Sequence, residues 1–224
     1  MFVRITTDPA PRPNSLRDLG LTSVSNPLVS LNEFTYKKGV EIYGEKEPAD
    51  YVYQVKIGAV RSYKLLSDGR RQIGAFHLVG DIFGLENGAE HRFTAEAIVN
   101  TTVRLIKRRS LEMAADSDAM VSRNLLSMTT SNLQHAEDHM LLLGRKTSLE
   151  RVAAFLLDVS ERNAQRGYSS AEFNLRMTRE DMGSYLGMTL ETVSRTLSRF
   201  QKRGLIDTQG KHIRIVDLEG LQQV

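Results

Sequence analysis

The chain contains no cysteine. That excludes disulfides, thiolate-held iron–sulfur clusters, cysteine-ligated zinc and reactive thiols, and it fits a reducing cytoplasm. Long apolar runs are missing as well. None approaches the roughly 20 residues that a membrane-spanning helix needs, so no membrane partner is expected. The opening MFVRITTDPAPRPNS has no sustained apolar core and does not read as a signal peptide. Net charge is scarce too, at +3 over 224 residues, so the chain is no polycation. That excess is unevenly placed. From Arg145 onward there are 13 Lys plus Arg against 10 Asp plus Glu, which leaves 17 of each sign before it. The last third therefore faces an anionic partner. No cysteine nucleophile, Ser-His-Asp arrangement, Walker loop or metal cluster is present, so no enzyme is expected.

An apolar content of 41% is ordinary for a fold with a real core. Residues 1–25 carry Pro9, Pro11 and Pro13, which prevent a helix and break a ladder, so this segment reads as an arm. Residues 26–116 read as an antiparallel β-roll. Runs such as YVYQVKIG, AVRSYKLL and RQIGAFHL alternate or are β-branched, and turn signals such as SDGR and LVGDIFG separate them. LSDGRRQI predicts a hairpin with Asp68 and Gly69 at its turn.

The period then changes. Residues 117–144 predict one long helix that Gly144 ends as a hinge. Ala119, Leu126, Leu133 and Met140 recur every seven residues, with Ser122, Thr129, Ala136 and Leu143 as the companion register. That is a coiled-coil seam with small partner residues. A helix buried within one subunit can also show a stripe, but a seam this long between two domains favours a homodimer. Val121, Leu125 and Met128 form a second stripe that can pack on the chain's own roll.

Residues 145–224 predict a winged helix-turn-helix. Thr147 with Glu150, and Thr178 with Asp181, have capping-box spacing. Gly187 permits the tight turn, Thr189 caps the second helix, and Val193, Leu197 and Phe200 are its buried stripe. LIDTQGKHIRIV predicts a hairpin turning at Gln209 and Gly210. Glu191, Ser194 and Arg195 fall at the outward start of the second helix, where such residues reach base edges. Arginine reads guanine with two bonds and a carboxylate accepts from cytosine. Glu191 and Arg195, four apart, can also pair as a solvated ion pair. Thr178, Arg179, Thr189, Thr192, Ser198, Arg199 and Lys202 supply hydroxyls and cations for phosphates.

The order of these parts resembles the CRP/FNR superfamily of bacterial transcription regulators. LVGDIFG resembles the family's roll turn, and ETVSRTLSRFQKRGLI resembles the recognition helix of the FNR branch, whose E-x-x-S-R pattern lands on Glu191, Ser194 and Arg195. GDIFGLENGAEHRFTAEA most resembles the FixK group of nitrogen-fixation regulators. The resemblance spans about residues 26–224. It implies an α+β chain: a cupin-like roll, a dimerisation helix and a winged helix. It further implies a homodimer that activates transcription with RNA polymerase from a TTGA-N6-TCAA type palindrome on double-stranded DNA, half-sites one helical turn apart.

Two departures bear on effectors. Iron–sulfur sensing needs the cysteines this chain lacks. Cyclic-nucleotide sites of the family carry Gly-Glu and then Arg-Ser or Arg-Thr, whereas here Leu85 separates Gly84 from Glu86 and Phe93 separates Arg92 from Thr94. No cofactor is expected. The alternative is a regulator gated by a small molecule or cyclic nucleotide in the roll. His77 sits where a haem-sensing relative has a ligand, but its place beside a turn favours an ordinary polar role. His135 and His139 are four apart but lack a third ligand, so no metal is expected. Ser184 lies in the first helix of the DNA unit, where some FixK-like proteins are regulated by oxidation of a thiol; it marks a redox position near the DNA only if serine has replaced a cysteine there, because a serine hydroxyl does not undergo thiol oxidation.

Overall fold

A computed structural model describes residues 32–86 and 88–224. The expected arm, residues 1–25, lies outside the described residues, as does the start of the expected roll.

Among the described residues, eight strands build the roll: β1 (Asn32–Tyr36), β2 (Glu41–Tyr43), β3 (Tyr51–Ile57), β4 (Ala59–Leu65), β5 (Arg71–Leu78), β6 (Ile82–Phe83), β7 (Thr94–Ala97) and β8 (Thr101–Lys107). They pair antiparallel as two four-stranded sheets, β1-β8-β3-β6 and β2-β7-β4-β5. The inward residues Tyr43, Tyr53, Val55, Val60, Phe83, Ala95 and Val103 fill the space between the sheets. The β4–β5 hairpin turns at Asp68–Gly69 as its sequence predicts. Leu66 N–H donates to the Arg70 carbonyl at 2.8 Å, and the Asp68 carboxylate accepts from Arg70 N–H at 3.0 Å.

The next element, α1 (Arg108–Ser117), has no counterpart in the sequence reading. Its apolar side is only Leu111 and Ala114, too short a stripe to announce a helix. Asp118 then caps α2 (Ala119–Arg145) by accepting from Met120 N–H at 2.8 Å. Val121 and Met128 are buried against Val52, Ile82, Ile106 and Leu111, with Leu125 partly covered, so the second stripe does pack on the roll. The expected stop at Gly144 is corrected. The helix runs through it to Arg145, and the chain turns at Lys146 (φ −90°, ψ 147°). No left-handed glycine is needed, because the following helix satisfies the last carbonyls. Arg151 donates to the Leu143 carbonyl at 2.8 Å and to that of Lys146 at 2.9 Å.

The C-terminal part comprises α3 (Ser148–Gln165), β9 (Glu172–Asn174), α4 (Arg179–Leu186), α5 (Leu190–Lys202), β10 (Ile206–Gln209), β11 (His212–Ile215) and α6 (Leu218–Gln222). Both capping boxes form, at Thr147–Glu150 and Thr178–Asp181. The wing is a three-stranded sheet, β10-β11-β9. Gln209 pairs with His212, so the turn sits on Gly210 and Lys211, one residue later than the sequence suggests. The glycine takes positive φ at the first central position, which suits the strand twist.

One apolar cluster joins the roll to this unit. Tyr63, Ile73, Phe76 and Ile98 from the roll share it with Phe155, Leu156, Met182, Tyr185, Leu197 and Phe200. Phe76 stands between Phe155, 6.2 Å away, and Tyr185, 5.3 Å away between ring centroids. Fully burying such a ring contributes about 1.5–3 kcal/mol.

Candidate nucleic-acid interface

The turn between α4 and α5 sets the geometry of the site. Gly187 closes α4 in the left-handed region (φ 64°, ψ 43°), which glycine adopts at little steric cost. Gly183 makes the closest approach: a Cβ there would lie 2.6 Å from the Met188 carbonyl oxygen. Thr189 caps α5 by accepting from Thr192 N–H at 3.2 Å. Val193, Leu197 and Phe200 are buried as expected, and Thr196 joins them at 5% exposure. The opposite face carries Glu191, Arg195, Ser198, Arg199 and Lys202, all exposed, with Thr192 and Ser194 half-buried.

The alternative, a solvated Glu191–Arg195 ion pair, is not formed. Arg195 instead donates to the Thr192 hydroxyl at 3.3 Å. The Glu191 carboxyl is held below its ordinary pKa first by its own backbone N–H, then by the Thr189 hydroxyl, with the Arg195 charge contributing least. Glu191 thus answers to the helix N-terminus, where negative charge is favoured. Of the other candidates, Thr178 donates its hydroxyl to Asp181 at 2.8 Å, and Thr189 shares a 3.2 Å contact with the Thr192 hydroxyl. Arg179 donates to Ser194 Oγ at 3.3 Å. Ser184 is half-buried in α4.

Along α2, Leu126, Leu133 and Met140 are 68%, 59% and 65% exposed, and Ala119, Thr129 and Ala136 lie open with them. Leu143 is half-covered near the α4–α5 turn. His139 stacks on the Tyr185 ring at 4.0 Å and bonds the Tyr185 carbonyl at 2.9 Å. Burial lowers its pKa, and the carbonyl bond opposes that. His135 faces Asp158 at 3.9 Å. His77 lies 2.7 Å from Ser62 Oγ and stacks on Phe83, and burial pushes its pKa down to about 4.

Sequence reasoning missed how the DNA unit is fixed to the roll. Asp81, in the roll turn, binds Arg162 of α3 and Arg166, the residue that follows α3. Arg61 of β4 binds Glu96 at 2.7 Å and Asp181, the capping-box acid of α4. The three pairs that cross from the roll to the DNA unit, Asp81–Arg162, Asp81–Arg166 and Arg61–Asp181, lie 81, 85 and 120 residues apart in sequence, beyond any local pattern.

Comparison with known proteins identifies the class. Residues 150–224 match the Crp-like helix-turn-helix domain, and residues 33–118 match the cyclic nucleotide-binding domain. The chain belongs to the CRP/FNR family of transcription regulators and is not an enzyme. Within that family it stands close to FixK. It is 41% identical to the nitrogen fixation regulation protein FixK of Rhizobium meliloti over 88% of this chain and 86% of that one. It is 35% identical to the fumarate and nitrate reduction regulatory protein of Escherichia coli over 84% of this chain and 76% of that one. The structure of FixK2 from Bradyrhizobium japonicum superposes with a TM-score of 0.82 at 57% identity, covering 87% of this chain and 96% of that one.

Proposed function

We propose that this regulator binds duplex DNA as a homodimer paired along α2 and activates transcription with RNA polymerase in the cytoplasm. The observation that carries the reading is the exposed seven-residue stripe of Leu126, Leu133 and Met140 beside an exposed α5 face. Large apolar side chains left to water at coiled-coil spacing want a second copy of themselves. A two-fold pair presents two α5 helices, as a palindrome of TTGA-N6-TCAA type requires. Glu191, Ser194 and Arg195 read bases, while Thr178, Arg179, Thr189, Thr192, Ser198, Arg199 and Lys202 meet phosphates. Two of these threonines cap helices and contact phosphate through what their hydroxyls have left.

The roll works without a cyclic nucleotide. The Glu86 carboxylate lies 3.1 Å from His91 Nδ1, and Arg92 is exposed. The acid and base at the places of the family's cyclic-nucleotide motif are, respectively, engaged by His91 and exposed. The match of residues 33–118 to the cyclic nucleotide-binding domain favours the second reading, an effector-gated regulator. Calorimetry separates the two, since micromolar cyclic-nucleotide binding with a gain in DNA affinity establishes gating. For the primary reading, gel shifts on TTGA-N6-TCAA and mutated half-sites at fixed salt test sequence dependence. Equal affinity for all duplexes defeats it.

A further inference from the structure

We propose that Arg179 is a positioning residue for base readout, which holds Ser194 as a hydrogen-bond donor toward the base it meets. The inference rests on the DNA-binding reading above. Arg179 begins α4 and Ser194 lies in the second turn of α5, yet Arg179 Nη1 reaches Ser194 Oγ at 3.3 Å. Guanidinium has no acceptor, so the contact runs one way, from arginine to hydroxyl. One Ser194 lone pair is thereby occupied by a cation. The hydroxyl proton has no acceptor among the described residues and is left for a ligand. Engagement by a cation also polarises a hydroxyl and makes it a better donor.

In the major groove, acceptor edges are guanine N7 and O6, adenine N7 and thymine O4, and donor edges are cytosine N4 and adenine N6. A cation-held Ser194 favours the acceptor edges. Arg179 makes no ion pair among the described residues, so its other donors stay available for a phosphate oxygen. One side chain then ties the backbone contact to the base contact. The phosphate that docks α4 also fixes the polarity of the hydroxyl on α5.

The test uses the full chain and every single-base substitution of one TTGA half-site. Affinities are measured for wild type, Arg179→Ala, Ser194→Ala and the double variant, with salt dependence recorded for each. A melting curve matching wild type qualifies each variant. Should Arg179→Ala fail to fold, Arg179→Lys replaces it, since it keeps the charge but lacks the planar fork. The expected result is that both single variants lose discrimination at the same base position, by about 3- to 10-fold. The double variant falls no further at that position. Equal loss on every sequence, with additive single effects, makes Arg179 a phosphate contact alone and overturns the inference. Wild-type protein that binds operator and scrambled duplex equally defeats the reading beneath it instead.

Discussion

Replacing Asp81 with alanine should destabilise the chain by about 3–5 kcal/mol. The acid accepts from Arg162 Nη2 at 2.5 Å, from Arg166, and from Leu78 N–H at 2.7 Å. The side chains are 18% exposed for Asp81, 17% for Arg162 and 11% for Arg166. Burial alone would raise the Asp81 pKa, but the two arginines outweigh it and hold the carboxyl below its ordinary value. Alanine leaves two guanidiniums facing each other in a poorly hydrated seam. Arg162 then keeps the Phe76 carbonyl at 2.9 Å and a longer 3.5 Å contact with the Asp158 carboxylate, while Arg166 keeps, among the described residues, only carbonyls, those of Val79 at 2.8 Å and Arg162 at 2.7 Å. A loss of that size lowers the melting temperature by about 6–20 °C, at about 2–4 °C per kcal/mol for a chain of this length. Urea unfolding followed by circular dichroism and by tyrosine fluorescence measures it, and coincident transitions license the two-state treatment. The acid binds fewer protons folded than unfolded, so its contribution is present above the unfolded carboxyl value and fades as pH falls through the folded one. A variant within about 1 kcal/mol of wild type at neutral pH would mean that water already screens these charges, and would refute the argument.

Further perturbations have equally definite outcomes. His77, with its pKa pushed down to about 4, stays neutral in the fold while the unfolded chain takes up protons below about 6.5. Stability should therefore be full above that value and decline toward pH 4, by at most roughly 3 kcal/mol, and the decline should vanish in His77→Gln. Gly183→Ala pushes a methyl group toward the Met188 carbonyl and should cost about 1–3 kcal/mol, read as a lower denaturation midpoint. Leu133→Asp should convert the dimer to monomer in sedimentation, because the charge would be buried in the seam; an intact dimer would discredit the proposed register. Arg195→Ala should weaken operator binding by about 1–3 kcal/mol and relax preference at one guanine, whereas uniform weakening would reassign it to phosphate.

Local structure was legible in the sequence where a short-range rule governs it. Thr147–Glu150 and Thr178–Asp181 close their capping boxes because the motif spans three residues. Val121 and Met128 meet the roll because one helical face can point only one way. The class of the site was legible for the same reason, through the cap, stripe and polar face of α5. Failures arose where a rule was met by another partner. Gly144 was unnecessary as a stop because Arg151 reaches back to the α2 carbonyls. Contacts such as Arg61–Asp181 depend on the assembled fold, so no window of residues holds them.

The apolar cluster that runs from Tyr63 and Phe76 into Phe155 and Tyr185 bears on how relatives can be recombined. A chimera cut between α2 and α3, with a foreign roll joined to residues 148–224, would strip Tyr185 and Phe155 of their cover. It would also strand Asp181 beside a position where no arginine is assured. Functional hybrids should need the β4–β5 hairpin to travel with its own helix-turn-helix. Roll and helix-turn-helix are then inherited as a matched pair, although each appears in the sequence as a separable module.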